Sequence, residues 1–249
     1  MTTLLVTNDD GVHAPGILAL TEALQSFATV TVAAPARNQS ASGHKKTLFT
    51  DIPISENTLA NGHPALAVDG SPADCIAVCA MGLRPWPPRL VVSGINRGEN
   101  MGQDITYSGT VTAALESVLH GVPALAISLS NAHADDPADY QEAARIAVIV
   151  VQKMLKQSLP PLTILNLNIP KGNVKGIRVT RQGVRIYRDV IEQEDGVVRI
   201  VGEPPTGILD EAGTDIWAVH NGYASLTPIH LDMTAHRFMA DLDAWDIEL

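Results

Sequence analysis

Aromatic side chains are scarce in this chain: Phe, Trp and Tyr together make up 4% of 249 residues. Hydrophobic residues nevertheless reach 45%, so a sizeable core must rest on Val, Leu, Ile and Ala. Cysteine is almost missing. Cys75 and Cys79 stand alone, which excludes a disulfide framework, and they lack the Cys and His partners of a zinc site. Two isolated thiols fit a reducing compartment, and their four-residue spacing places both on one face of a helix. Long apolar runs are absent too. The stretch Ile146-Ala147-Val148-Ile149-Val150-Val151 is far short of a membrane span and reads as a buried helix. No cationic segment precedes the short apolar run at the amino end, so that run does not read as a secretory signal, and the expected location is cytoplasmic. Positive charge is in deficit: the formal net charge is -10. That balance argues against a nucleic-acid or anionic-membrane surface. An anionic substrate would have to be drawn in locally, by something such as a metal ion.

What the sequence does contain is alternation. Residues 4–7 read as a strand, and a stripe of Ile17, Leu20, Ala23 and Leu24 after Pro15-Gly16 reads as a helix. Residues 30–34 form the next strand, ended by Pro35, and 66–68 a short one. Pro72 opens the helix that carries the cysteines. Residues 90–93 form a buried strand, 110–120 a helix, and 124–129 a strand. Residues 139–157 form a long helix with Ala143, Ile146, Ala147, Val150, Met154 and Leu155 facing inward. This order predicts an α/β fold with a doubly wound, mostly parallel sheet. After Pro160 the pattern changes. Residues 164–169 still read as a strand, but 177–180, 184–187, 197–201 and 223–226 read as short strands without intervening helices. A β-rich part or an extended hairpin is expected there, then a final arm with a helix over 230–249. The expected organisation is a core over 1–170 and a hairpin-and-arm part over 171–249, integrated into a single domain.

Three stretches carry chemistry. In the first, the apolar run Leu4-Leu5-Val6-Thr7 delivers Asn8-Asp9-Asp10-Gly11 to a strand end. Adjacent carboxylates repel, so the pair calls for a cation or a shared proton, and strand ends are where open α/β sheets bind ligands. The competing reading, an N-cap for the Gly16 helix, is made awkward by the intervening His13-Ala14-Pro15. The second stretch, Ser93 to Thr110, leaves a strand end and enters a helix. Ser108-Gly109-Thr110 at that helix start suits a phosphate and equally suits an ordinary N-cap. Asn96 can ligate a hard cation through its amide oxygen or simply build a turn. The third stretch, Ala34 to Thr47, offers hydroxyls, amides and three positive charges. It can complete a metal shell and hold a phosphate, or be a solvated loop. His13 and His44 are candidate acid–base groups but read more readily as structural. Asp69 and Asp74 read as turn or cap residues around Gly70-Ser71-Pro72.

Taken together, these stretches resemble the SurE family of stationary-phase survival proteins, which are metal-dependent nucleotidases. The segment Val6-Thr7-Asn8-Asp9-Asp10-Gly11-Val12-His13-Ala14-Pro15-Gly16-Ile17 is similar to the family's amino-terminal signature. Ser93-Gly94-Ile95-Asn96 followed by Tyr107-Ser108-Gly109-Thr110-Val111 is similar to its second. Further matches in order and spacing run to Ser225-Leu226-Thr227-Pro228. The resemblance implies a Rossmann-like core and one divalent cation, magnesium or manganese, held by Asp9, Asp10, Ser40 and Asn96. It implies a phosphate subsite at Ser108, Gly109 and Thr110, to which Asn96 is added. The implied activity is hydrolysis of nucleoside 5′-monophosphates, with tolerance for other phosphoesters. The implied assembly is a homodimer or homotetramer that exchanges carboxyl-terminal arms. Asp9 and Asp10 are the catalytic candidates, either orienting a water or attacking phosphorus directly. The chain departs from the family pattern at Ala41, where Gly is usual, at Lys45-Lys46, where a small polar and an apolar residue are usual, and mildly at Ser71. Lys45 or Lys46 is expected to add phosphate affinity.

Two other classes use related folds. A phosphate-accepting receiver module needs an Asp at its central strand end, where this chain has Asn96. A dinucleotide-binding oxidoreductase needs a Gly-x-Gly-x-x-Gly after the first strand, where this chain has two carboxylates that would repel a pyrophosphate.

Overall fold

The structure, a computed structural model, describes residues 2–247. Met1 of the expected core and Glu248 and Leu249 of the expected arm lie outside the described residues. In chain order the elements are β1 (Thr3–Thr7), α1 (Pro15–Gln25), β2 (Thr29–Pro35), β3 (Ile54–Thr58), β4 (Pro64–Val68), α2 (Pro72–Val78), β5 (Leu90–Arg97) and α3 (Gly109–Leu119). Then come β6 (Ala124–Ser130), α4 (Gln141–Met154), β7 (Thr163–Pro170), β8 (Ile177–Val179), β9 (Arg185–Ile186), β10 (Asp189–Glu194), β11 (Val197–Gly202) and β12 (Thr206–Gly207). The chain ends with α5 (Asp215–His220), β13 (Ala224–His230) and α6 (Met239–Asp243).

A nine-stranded sheet runs β3-β4-β2-β1-β5-β6-β7-β13-β8. The six strands from β4 to β7 in that order are mutually parallel, whereas β3 and β13 join antiparallel. Because β1 is buried on both faces, it reads as an unbroken apolar run. Leu4 and Val6 belong to one core cluster and Leu5 to the other. Helices α1 and α4 cover the first face, and α2 and α3 the second. The sheet is therefore doubly wound, as the alternation led one to expect. Helices α1 and α4 share a face although their crossovers step in opposite directions along the sheet, so the two units differ in hand. One of them thus departs from the usual right-handed connection.

The strand order reverses between β1 and β5, and the loops beyond their carboxyl ends part there to leave a crevice. That crevice receives the residues following Thr7 and those ending β5.

Several elements differ from expectation. Strand β3 is an addition. Its sequence, Ile-Ser-Glu-Asn-Thr, is mostly exposed, so no apolar pattern betrays an edge strand. The long helix is shorter than 139–157, because Pro137–Tyr140 form a separate 3-10 turn capped by Asp136. The expectation of strands without intervening helices fails at α5, which stands between β12 and β13. The expected hairpin is present as β10 paired antiparallel with β11. Beyond β13 the described tail is exposed and carries a 3-10 turn at His236–Phe238 and then α6.

Candidate active site

Asn8 turns the chain at the end of β1: its Nδ2 donates to the Gly11 carbonyl at 2.9 Å, and the Gly11 N–H donates to its Oδ1 at 3.2 Å. Gly11 holds a φ of 106°, a region that side chains resist. This small closed turn presents Asp9 and Asp10 into the crevice in different directions. It also settles the capping alternative. The N-cap of α1 is Ala14, with Pro15 next and no side-chain cap, so the acidic pair does not cap that helix.

Asp9 is only 3% exposed. Its Oδ1 accepts the Thr110 hydroxyl, and Gly109 presses directly against it. A Cβ on Gly109 would lie 2.8 Å from the Asp9 Cβ and 2.9 Å from the Pro72 Cγ. Burial pushes the Asp9 carboxyl up to about 6, and the neighbouring Asp10 charge adds to this, while hydrogen bonds from Thr110 oppose it. Asp10 turns the other way. Its Oδ2 accepts the Arg97 backbone N–H at 3.0 Å and its Oδ1 accepts the Asn38 Nδ2 at 3.3 Å. Burial raises its proton affinity as well, against the Arg97 N–H and charge.

The other proposed ligands stand next to residues that bond the pair, Asn96 before Arg97 and Ser40 after Gln39. The Asn96 Nδ2 donates to the Gly98 carbonyl at 2.8 Å, which leaves the amide oxygen as the end available to a cation. Ser40 is exposed on the loop after β2, where its N–H donates to Asn38 Oδ1 at 2.9 Å. The Gln39 N–H donates to the Asp9 carbonyl at 2.7 Å, tying that loop to the acidic turn. All four donor groups are oxygens, the preference of a hard divalent cation. Two desolvated neighbouring carboxylates of raised proton affinity are what such a charge would relieve. The residues present fit the ion.

Ser108, Gly109 and Thr110 do open α3. Ser108 is its N-cap, accepting the Val111 N–H at 3.1 Å, so the ordinary capping reading holds. With the Thr110 hydroxyl and N–H committed to Asp9 and the Val111 N–H to Ser108, the helix start offers an anion its dipole, the Gly109 N–H and the Ser108 O–H. Asn38 and Arg97, which hold Asp10, were not singled out in the sequence. The available signal was position: one lies two residues before Ser40, the other directly after Asn96. A cavity of about 450 Å³ adjoins Asp10, lined among others by His13, Arg37, Asn38, Arg97 and Tyr140.

Of the remaining candidates, His13 lines that cavity and the others lie elsewhere. His13 is exposed and 3.4 Å from Asn57. Asp69 pairs with Arg37 at 2.9 Å. Asp74 completes a capping box with Ser71 on α2 and also takes the Thr47 N–H and hydroxyl at 2.8 Å each. Lys46 does not face the crevice as a free cation. Its Nζ lies 2.7 Å from the buried Glu116, as part of a cluster with His44. Cys75 and Cys79 are both buried and unpaired, and burial pushes the Cys79 thiol up to about 12, which makes it unreactive.

Paired carboxylates and a helix start meeting at the switch point of a doubly wound sheet define an α/β protein of the switch-point-binding class. Comparison with known proteins narrows this. The family model described as Survival protein SurE matches residues 4–189. The "5'-nucleotidase SurE" of Chloroflexus aggregans is 45% identical over 98% of this chain and 99% of its own length. The protein of the same name from Syntrophotalea carbinolica is 47% identical over 98% and 97%. The crystal structure of SurE protein from Aquifex aeolicus superposes with a TM-score of 0.82 at 39% identity, covering 98% of this chain and 100% of that one. The chain belongs to the SurE family.

Proposed function

We propose that this protein is a 5′-nucleotidase, a divalent-metal-dependent phosphomonoesterase that converts nucleoside 5′-monophosphates to nucleoside and phosphate. The observation that carries the reading is the meeting of the Asp9-Asp10 turn with the start of α3, joined through Thr110 and Asp9. Full-length similarity to proteins named 5'-nucleotidase SurE supports it.

Asp9, Asp10, Ser40 and Asn96 would hold one magnesium or manganese ion, which when bound supplies Lewis acidity and a more acidic water. The start of α3 at Ser108, Gly109 and Thr110, with Asn96 beside it, receives the phosphoryl group. There, the Gly109 N–H, the Ser108 hydroxyl and the helix dipole stabilise charge that spreads over the equatorial oxygens. The cavity beside Asp10 takes the nucleoside. Both carboxylates of the pair already accept hydrogen bonds, from Thr110 on one side and from Asn38 and Arg97 on the other. Such bonds weaken a carboxylate as a nucleophile, so we assign the pair to orienting water rather than attacking phosphorus. Borohydride trapping of an aspartyl phosphate would reverse that assignment.

The net charge of -10 leaves no broad attraction for a nucleotide, which fits capture by a local cation. Two free, buried thiols suit a cytoplasmic location, and no described helix is long and apolar enough to cross a membrane. We assign the β10–β11 hairpin and the tail after β13 to self-association as a dimer or tetramer with exchange of the tails. The test of function is a panel of phosphoesters assayed on chelated protein with each divalent metal returned singly. Phosphate release from nucleoside 5′-monophosphates on return of magnesium or manganese is expected. Full activity without added metal, or none against any nucleotide, would refute the reading.

A further inference from the structure

Ser40 sits in a segment, residues 36–47, that has no helix or strand of its own. Something else must hold it over the acidic turn. Its near end is tied to that turn by Asn38 and Gln39. Its far end is tied to α3. The Thr112 hydroxyl donates to the Gly43 carbonyl at 2.9 Å, and the Gly43 N–H donates to the Tyr107 carbonyl at 2.9 Å. Beyond these lies Glu116, whose side chain is 4% exposed. Its Oε1 takes Lys46 Nζ at 2.7 Å and His120 Nε2 at 3.1 Å, and its Oε2 takes His44 Nε2 at 3.0 Å. Two of the three donors come from the loop.

We propose that Glu116 is a positioning residue for the ion site: with Lys46 and His44 it clasps the loop onto α3 and so fixes Ser40. This rests on the reading of Ser40 as an ion ligand. A buried carboxylate stripped of partners is strongly unfavourable. Lifting the loop would take two of its three donors from Glu116, so loop detachment and loss of that charge's partners are one event. The loop is thereby ordered before any ion arrives, and ordering a ligand in advance removes an entropic penalty from binding. The same helix carries the phosphate subsite at its start, so α3 sets both halves of the site. The clasp also explains Lys46, which the sequence had suggested for phosphate.

Manganese titrated calorimetrically into chelated full-length protein, without nucleotide, tests this, with amide exchange followed on the same samples. Lys46→Met and Glu116→Gln should each raise the manganese Kd about tenfold and speed exchange in residues 38–47 but not in α4. Lys46→Arg, which keeps a cation for Glu116, should stay near wild type in both readouts. An unchanged Kd in Lys46→Met overturns the proposal even where Tm falls, because the clasp would then be structural only. That variant decides if Glu116→Gln does not fold, since it alters a side chain one-third exposed. A wild-type protein that binds manganese but leaves nucleotides intact refutes the proposed function and leaves the clasp standing. A wild type that binds no manganese overturns both.

Discussion

Single side chains in the crevice are constrained from several directions at once, and Gly109 shows how tightly. Its missing Cβ is the space in which Asp9 and Pro72 pack. Gly109→Ala should therefore cost about 1–3 kcal/mol of stability through overpacking and lower kcat by displacing Asp9; urea denaturation beside steady-state kinetics checks both. Thr110→Val removes a hydroxyl from Asp9 and leaves a buried carboxylate short of a donor, a loss of about 1–3 kcal/mol measurable by the same denaturation. At this scale the acidic pair was legible in sequence because an apolar strand ends directly on it. What bound the pair was not legible. Thr110 lies 101 residues from Asp9 and Arg97 lies 87 from Asp10, and no local pattern reports such a meeting. The Thr110 hydroxyl looked like a phosphate donor for the same reason: its actual partner, Asp9, is set by tertiary packing.

Elements were readable where burial imposes a period and hidden where it does not. Strands β1, β5 and β6 are buried on both faces and stand out as apolar runs. Strands β3 and β10 are exposed along nearly their whole length, and polar residues there look like loop. Helix α5 has six residues, too few to show a helical stripe, yet it anchors a junction. Asp215 at its start is fully buried and accepts backbone N–H groups from Gly102, Gly183 and Ile216 at 2.7–2.9 Å. It thereby ties the segment leading into α3 to the strands after β8. Asp215→Asn turns an amide NH₂ toward donors, and should cost about 2–3 kcal/mol while raising KM more than it lowers kcat. Equilibrium unfolding and a KM measurement together check this; a stable variant with unchanged KM would show that α5 does not support the site.

Across the whole molecule, apolar surface is concentrated away from the crevice. Val190, Ile191, Val197, Val198 and Ile200 are exposed on the β10–β11 hairpin, as are Met233, Phe238, Trp245 and Ile247 on the tail. A two-stranded hairpin is marginal alone, and so much exposed apolar surface marks a contact site. Sedimentation equilibrium should find an oligomer that Ile191→Glu with Ile200→Glu dissociates; a wild-type monomer would contradict this. Stability should also respond to acid through the Glu116 cluster. Burial alone would raise that carboxyl, but hydrogen bonds from His44, Lys46 and His120 outweigh it and bring it from 4.5 down to about 2. A depressed folded-state value contributes stability above the unfolded one and loses it as pH falls between the two. The Tm advantage of wild type over Glu116→Gln should thus shrink as pH drops from about 4.5 toward about 2. Everything functional, however, turns on whether the two carboxylates at the end of β1 share an ion. Anomalous scattering from crystals grown with manganese asks this most directly. One peak between Asp9 and Asp10, within reach of Asn96 and Ser40, is the expected result. Crystals of catalytically active protein with no peak there would contradict it.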